Sequence, residues 1–261
     1  MKTITSTQNP SIKELLLLQE KSKIRTKTKQ FIVEGLREID MALESNFILE
    51  QLFVHETIDK GQDFIKHKKI NQQLVTIVNQ EVYQKIAYRE NSEGVVGLFK
   101  QKKHSLNDII LPENPLILIV ENIEKPGNIG AMLRTADAAN IDAFIIANPL
   151  TDLYNPNVIR SSLGGVFTNQ IATGQSEDIK LFLIKKGIDI FSANLQNANH
   201  YTNENYEKGS AIVVGSEAKG VSETWRSSTQ SIYIPMAGKL DSMNVSVAAA
   251  ILLFEAKRQR K

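Results

Sequence analysis

Gly238, Asp241, Ser242 and Asn244 stand directly before an apolar, alanine-rich run that opens at Val245. Polar groups beside a buried element are costly unless they find partners. A helix cap accounts for one of the four, since Ser242 or Asn244 can receive the first free N–H groups of the helix that the run predicts. Two other stretches have the same character. "KPGNIGAMLR" follows the continuous apolar run "PLILIV" and carries a Pro126–Gly127 turn, Asn128 and Arg134. Asn128 can cap the helix whose apolar stripe is Ile129, Met132, Leu133 and Ala136, and Arg134 lies off that stripe. "IVVGSEAKG" sets Gly215, Glu217 and Gly220 after a second buried run. Gly215 there lets a ligand approach the backbone, and Gly220 permits a tight exit. The chemistry available to such a set is hydrogen bonding to hydroxyls and phosphates through amides, a carboxylate and a guanidinium. Taken singly, each stretch also reads as a capped helix or a glycine turn with a solvated side chain.

What unites the three is the pattern of elements around them. Residues 116–261 alternate buried strands ("PLILIVENI", "DAFIIANP", "IDIFSANL", "SAIVVGSE", "SIYIPM") with helical stretches ("NPNVIRSSLGG", "IKLFLIKKG" and the last apolar run). That alternation predicts an α/β fold with a mostly parallel sheet covered by helices, and such sheets bind ligands beyond the carboxyl ends of their strands. Residues 1–100 form a separate small α/β series. In it "KQFIVEG", "QLFVHE", "QLVTIVN" and "EGVVGLFK" read as strands, with helices in "LREIDMALESN" and "TIDKGQDFIKHKK" between them. Charged and polar residues with two prolines make residues 101–115 a predicted linker.

Composition narrows the chemistry. The 261 residues are 42% hydrophobic and 23% charged, ordinary for a globular protein, and suffice for one large or two modest domains. There is no cysteine, which excludes disulfides, a thiol nucleophile and thiolate zinc sites. The four histidines have no metal-ligand spacing, so no metal is expected. The N-terminus lacks an apolar signal core and no run reaches membrane-spanning length, so a cytoplasmic location and no membrane partner are expected. A net charge of +2 does not by itself imply nucleic acid. "EKSKIRTKTKQ" is the exception, with Lys23, Arg25 and Lys27 in a run that no acidic residue interrupts, suited to a phosphate backbone or to simple solvation.

The three polar stretches resemble the three motifs of the SpoU-type RNA ribose 2′-O-methyltransferases of the SPOUT superfamily. Asn128, Gly130 and Arg134 match the first, and Gly215, Glu217 and Gly220 the second, with Ser216 where many members carry asparagine. "IPMAGKLDSMNVSVAAA" matches the third along its whole length. "KQFIVEGLREIDMAL" and "YRENSEGVVGLF" resemble the substrate-binding domain that precedes the catalytic one in many members. The resemblance implies a trefoil knot in the C-terminal domain, S-adenosylmethionine as methyl donor, and a homodimer with the site near its interface. It implies cofactor contacts at Leu195, Gly215, Ile234 and Met243, and catalytic roles for Asn128, Arg134, Glu217, Ser242 and Asn244. Asn128 and Asn244 would orient Arg134 or the ribose. Lys23, Arg25 and Lys27 would hold RNA. The separate N-terminal domain favours rRNA over tRNA as substrate.

Two other classes of function remain on the residues alone. A non-catalytic RNA-binding or ribosome-assembly module would have no need of Asn128, Arg134, Glu217 and Asn244 together. A nucleotide-dependent oxidoreductase would carry G-x-G-x-x-G after its first strand, which "KPGNIG" is not. Arginine stays protonated, so Arg134 is expected to orient the ribose-phosphate rather than to act as a base. Arg134→Ala is therefore expected to keep cofactor affinity within about twofold and to lose methyl transfer by about 100-fold or more. Calorimetry beside single-turnover assays checks this, and near-wild-type transfer would remove Arg134 from the mechanism.

Overall fold

The structure is a computed structural model, and it describes residues 2–57, 59–88 and 93–260. The backbone divides into two compact units, Met1–Lys102 with Tyr154–Arg160, and Lys103–Leu153 with Ser161–Lys261.

The first unit runs β1 (Lys2–Ile4), α1 (Pro10–Glu20), α2 (Ser22–Thr28), β2 (Gln30–Glu34) and α3 (Leu36–Glu44). It continues with β3 (Leu49–His55), α4 (Asp59–His67), β4 (Val75–Val78), α5 (Gln80–Ile86) and β5 (Val95–Lys100). The sheet order is β1-β4-β3-β5-β2, parallel over the first three strands and antiparallel at β5. Asn9 caps α1 and Pro10 occupies its first turn, the arrangement that starts a helix well. Ile12, Leu15 and Leu18 then bury one face of α1 on the sheet beside Val82 and Ile86 of α5. A second cluster gathers Phe31, Phe47, Phe99 and Tyr154, with Tyr154 at 4.2 Å from the Phe31 ring centroid. This aromatic packing explains why residues 154–160 join the first unit although they come more than fifty residues after its last strand. Residues 89–92 of the second N-terminal motif lie outside the described residues.

The second unit runs β6 (Leu116–Glu121), α6 (Pro126–Ala138), β7 (Ala143–Ala147), α7 (Pro156–Ser162), α8 (Gly165–Thr168) and β8 (Ile171–Gly174). Then come α9 (Ser176–Lys185), β9 (Asp189–Ala193), β10 (Asn199–His200), β11 (Ser210–Val214), α10 (Glu223–Arg226), β12 (Gln230–Tyr233) and α11 (Val245–Gln259). Its seven strands lie in the order β10-β12-β9-β11-β6-β7-β8, and every neighbouring pair is parallel. All six residues of β6 are buried, as a central strand covered on both faces requires. Ile117 and Ile119 face a core with Ile179, Leu183 and Trp225 from α9 and α10. Alternation along the strand turns Leu118 and Val120 to the opposite side. The strand β11 enters late in the chain yet lies between β6 and β9.

Two expectations change. Residues 103–115 are not a free linker: Leu106, Ile109 and Leu111 pack on the C-terminal core, and Thr173 of β8 donates to His104 O. This segment covers the open edge of the sheet, which an unpaired edge strand needs. Arg25 is also not an RNA-facing cation. The basic run folds as α2, which turns Lys23 and Lys27 outward four residues apart and turns Arg25 inward to 1% exposure. Its guanidinium donates to Leu18 O and Gln19 O, carbonyls that the end of α1 leaves without helical partners. Arg25→Met strands those carbonyls, and the expected loss is about 1–3 kcal/mol in urea unfolding, with the salt dependence of RNA binding unchanged. Unaltered stability with a flattened salt slope would return Arg25 to the RNA surface.

Candidate functional site

Because the sheet is parallel, β12, β9, β11 and β6 all end at the same edge, and they are consecutive neighbours. The loops that follow them therefore meet, although they lie at residues 122–125, 194–198, 215–222 and 234–244. Between the last three is a cavity of about 380 Å³ lined by residues 193–196, 214–217, 232–234 and 241–243. Leu195, Gly215, Ile234 and Met243 all line it. Its floor is apolar, with Val214, Val221 and Leu252, and its rim carries Asn194, Glu217 and Asp241. Small-ligand sites have this build.

Glu217 stands on the wall between this cavity and a second one of about 470 Å³, lined on the far side by Lys125, Asn128 and Leu150. Its Oε1 accepts from Asn244 Nδ2 at 2.9 Å and from Asn128 Nδ2 at 3.2 Å. Asn244 Nδ2 also donates to Asn128 Oδ1 at 3.2 Å, which closes the three side chains into a ring. On the other side of the carboxylate, Lys125 Nζ lies 2.7 Å from Oε2. The backbone N–H of Val245, first residue of α11, adds a further bond. Lys125 first, then Asn128, hold the Glu217 carboxyl below the usual carboxylate range. An ionised carboxylate only accepts, so both amides must turn their nitrogens toward it.

Local sequence sets each part of this arrangement. Asn244 is the cap of α11, its Oδ1 accepting from Ser246 N at 2.9 Å while its Nδ2 serves the ring. Ser242 is not the cap; it lines the first cavity and donates to Asp241. Asn128 does not cap α6 either. That helix opens two residues earlier, at Pro126, which leaves Asn128 in its first turn with its amide free for Glu217. Gly215 has a different reason from the one its position suggests. A Cβ there would fall 2.0 Å from the Gly220 carbonyl carbon, so the loop's own backbone, not a ligand, requires glycine. Gly220 has φ +63° and its N–H donates to Ser216 O, which makes the tight exit. The far end of this loop is fixed by the buried Glu121 at the end of β6. That carboxylate accepts from Ser222 N at 2.6 Å, from Trp225 Nε1 at 2.8 Å, and from the hydroxyls of Ser222 and Ser176.

Arg134 does not join the ring. It is exposed on α6, lines neither cavity, and its side chain takes no hydrogen bond or ion pair among the described residues. Asn128 and Asn244 therefore orient each other through Glu217, and not Arg134, within one chain. Two contributors were not foreseen from sequence: Lys125, which lies 92 residues from its partner Glu217, and the Glu121 staple. A lysine at a strand-to-helix turn beside a motif asparagine was the available signal for the first. Among the described residues no group of three or more His, Asp or Glu could hold a metal ion, and no helix is long and apolar enough to cross a membrane.

Comparison with known proteins places both parts of the chain among known families. Residues 115–254 match the SpoU rRNA Methylase family, and residues 9–97 match the MRM3-like substrate binding domain. A 23S rRNA (guanosine(2553)-2′-O)-methyltransferase of Bacillus subtilis is 27% identical over 263 residues, covering 98% of this chain and 100% of that protein. An RNA 2′-O ribose methyltransferase of known structure superposes with a TM-score of 0.84 at 36% identity, covering 98% of both chains. An AdoMet-bound rRNA methyltransferase from Sinorhizobium meliloti superposes with a TM-score of 0.90 at 30% identity, covering 98% of this chain and 97% of that one.

Gly215→Ala is expected to push the 215–220 loop off its own backbone and to pull Glu217 away from both asparagines. The side-chain amide signals of Asn128 and Asn244 in an NMR spectrum report it directly. Unshifted signals in a folded variant would contradict the packing described.

Proposed function

The chain belongs to the SpoU rRNA methylase family, and on that premise we propose that it methylates a ribose 2′-hydroxyl of ribosomal RNA, with S-adenosylmethionine as donor. The observation that carries this reading is the Glu217 ring at the rim of the first cavity, which joins three loops and leaves amide and carboxylate groups at one strand mouth. Relatives named for rRNA and for ribose 2′-O-methylation support the substrate class. The AdoMet-bound relative supports the donor, and the apolar floor and polar rim of the cavity suit an adenosyl group with a charged tail. When bound, the donor supplies an activated sulfonium methyl group for in-line displacement by the ribose oxygen.

The chain's own residues then position the hydroxyl, whose proton passes to a substrate phosphate oxygen or to water as the new O–CH3 bond forms and the thioether leaves. Leu195, Gly215, Ile234 and Met243 shape the donor cavity. Asn128, Asn244 and Glu217 fix the geometry where the hydroxyl is received. Glu217, already engaged by donors and held below the usual range, is a weak base and serves to orient. Ser242 lines the site. Arg134 holds the ribose-phosphate through its planar fork. Since it lies outside the ring of its own chain, we assign it to the site of a second copy in a homodimer. Exposed Val247 and Phe254, seven residues apart on α11, support a partner surface on that helix. The same reading includes the trefoil knot, supported by the late insertion of β11 between β6 and β9. Lys23 and Lys27 on the outer face of α2 are assigned to RNA phosphate.

Mapping of 2′-O-methyl groups across rRNA and tRNA, from cells with and without the gene, tests the proposal. The expected result is one or a few rRNA riboses that lose methylation with the gene and regain it with the wild-type chain. An unchanged rRNA map, or losses confined to tRNA, would contradict it.

A further inference from the structure

Lys125 is the member of the Glu217 cluster that is not among the residues carrying the family resemblance. It is the residue before α6, its side chain is 71% exposed, and its ammonium lies 2.7 Å from Glu217 Oε2. The position matters more than the strength of the pair, because an exposed ion pair contributes little to stability. A carboxylate has two oxygens and can rotate about its last bond. With Oε2 tied to Lys125 on the side of the second cavity, Oε1 turns to the two asparagines. Were Glu217 protonated on Oε2, a donor would face the ammonium and the tie to Lys125 would be lost; protonated on Oε1, it would lose one bond of the ring.

Resting on the proposed methyl transfer, we propose that Lys125 is a positioning residue for that reaction: its ammonium holds Oε2 of Glu217 so that Oε1 fixes Asn128 and Asn244 together. The charged groups around Glu217 are few. Glu124 and Lys125 come from the loop before α6, Lys219 from its own loop, Asp241 from the third loop, and Arg226 from α10. Arg226 is directed to Lys219 O, which leaves Lys125 as the cation in contact with the carboxylate. Glu217 in turn raises the Lys125 ammonium above its usual range, so the pair stays charged across neutral pH. The sign of the pH effect follows. Lys125 keeps Glu217 ionised to lower pH, so removing it moves the protonation of Glu217 to higher pH as acid is added, and with it the loss of the carboxylate's fixed orientation.

Four full-length variants test this: Lys125→Met, Lys125→Arg, Glu217→Gln and the double variant Lys125→Met with Glu217→Gln. Carbon-13 NMR titration of the glutamate carboxyls, with Glu217 assigned from its absence in Glu217→Gln, needs no substrate. The expected result is a higher Glu217 midpoint in Lys125→Met and a wild-type midpoint in Lys125→Arg. Methyl transfer from tritiated S-adenosylmethionine is then measured on rRNA purified from cells lacking the gene. In Lys125→Met, kcat is expected to fall about threefold at pH 8 and further toward pH 5, near the ordinary carboxylate range. KM for RNA is expected to stay within about twofold. Lys125→Arg restores the rate, and the double variant is no slower than Glu217→Gln. An unchanged titration midpoint would overturn the proposal, as would a loss confined to KM at every pH, which marks a direct phosphate contact. If the wild-type chain itself fails to transfer a methyl group, the proposed function fails, and the NMR midpoint still decides what Lys125 does to Glu217.

Discussion

Three loops that are far apart in sequence meet at one carboxylate. Glu217 accepts from Asn128 and Asn244, pairs with Lys125, and receives the N–H that opens α11. Its ionised state suits both helices, because α6 and α11 each turn an N-terminus toward it and helix N-termini favour negative charge. An acceptor-only group at the centre also removes the ambiguity of two asparagine amides. The cavity beside it depends on this joint, since two of its three walls end in Glu217 and in the residues that precede Asn244.

Topology makes the joint possible. A fully parallel sheet sends every strand's carboxyl end to one edge, and the order β12-β9-β11-β6 makes neighbours of strands that the chain builds at different times. The insertion of β11 beside β6 brings Glu217 within reach of Asn128 and Lys125. Glu121, at the end of β6, then fixes the exit of the same loop through Ser222 and Trp225. A buried carboxylate is tolerable there because each of its contacts is a donor. The first unit uses the same rule in reverse: Arg25 is buried because it meets carbonyls.

What the sequence disclosed follows from the range of the interactions. Strands such as "PLILIV" and the stripe of α6 are local patterns, and they read correctly. The polar residues before α11 incur no cost of burial, since Gly238, Asp241, Ser242 and Asn244 are all exposed; Asp241 and Ser242 line the cavity and Asn244 joins the ring, while Gly238 does neither. The partners themselves were hidden. Lys125 and Glu217 are joined only through the strand order, which no local pattern encodes. Arg25 sits among exposed lysines, and only the fold of α2 separates it from Lys23 and Lys27. The segment at 103–115 looks free because its three apolar contacts are scattered among charges, and Tyr154 joins the first unit through an aromatic cluster with Phe31, Phe47 and Phe99, which stand far earlier in the chain.

On the proposed function, the cavity framed by residues 193–196, 214–217, 232–234 and 241–243 holds the methyl donor beside Glu217. A crystal structure of the wild-type chain soaked with S-adenosylhomocysteine measures this directly. The nucleoside is expected against Val214, Ile234 and Met243, with the Glu217–Asn128–Asn244 ring intact. Ligand density elsewhere on the chain, or in that cavity with the ring broken and Glu217 turned to solvent, would contradict it.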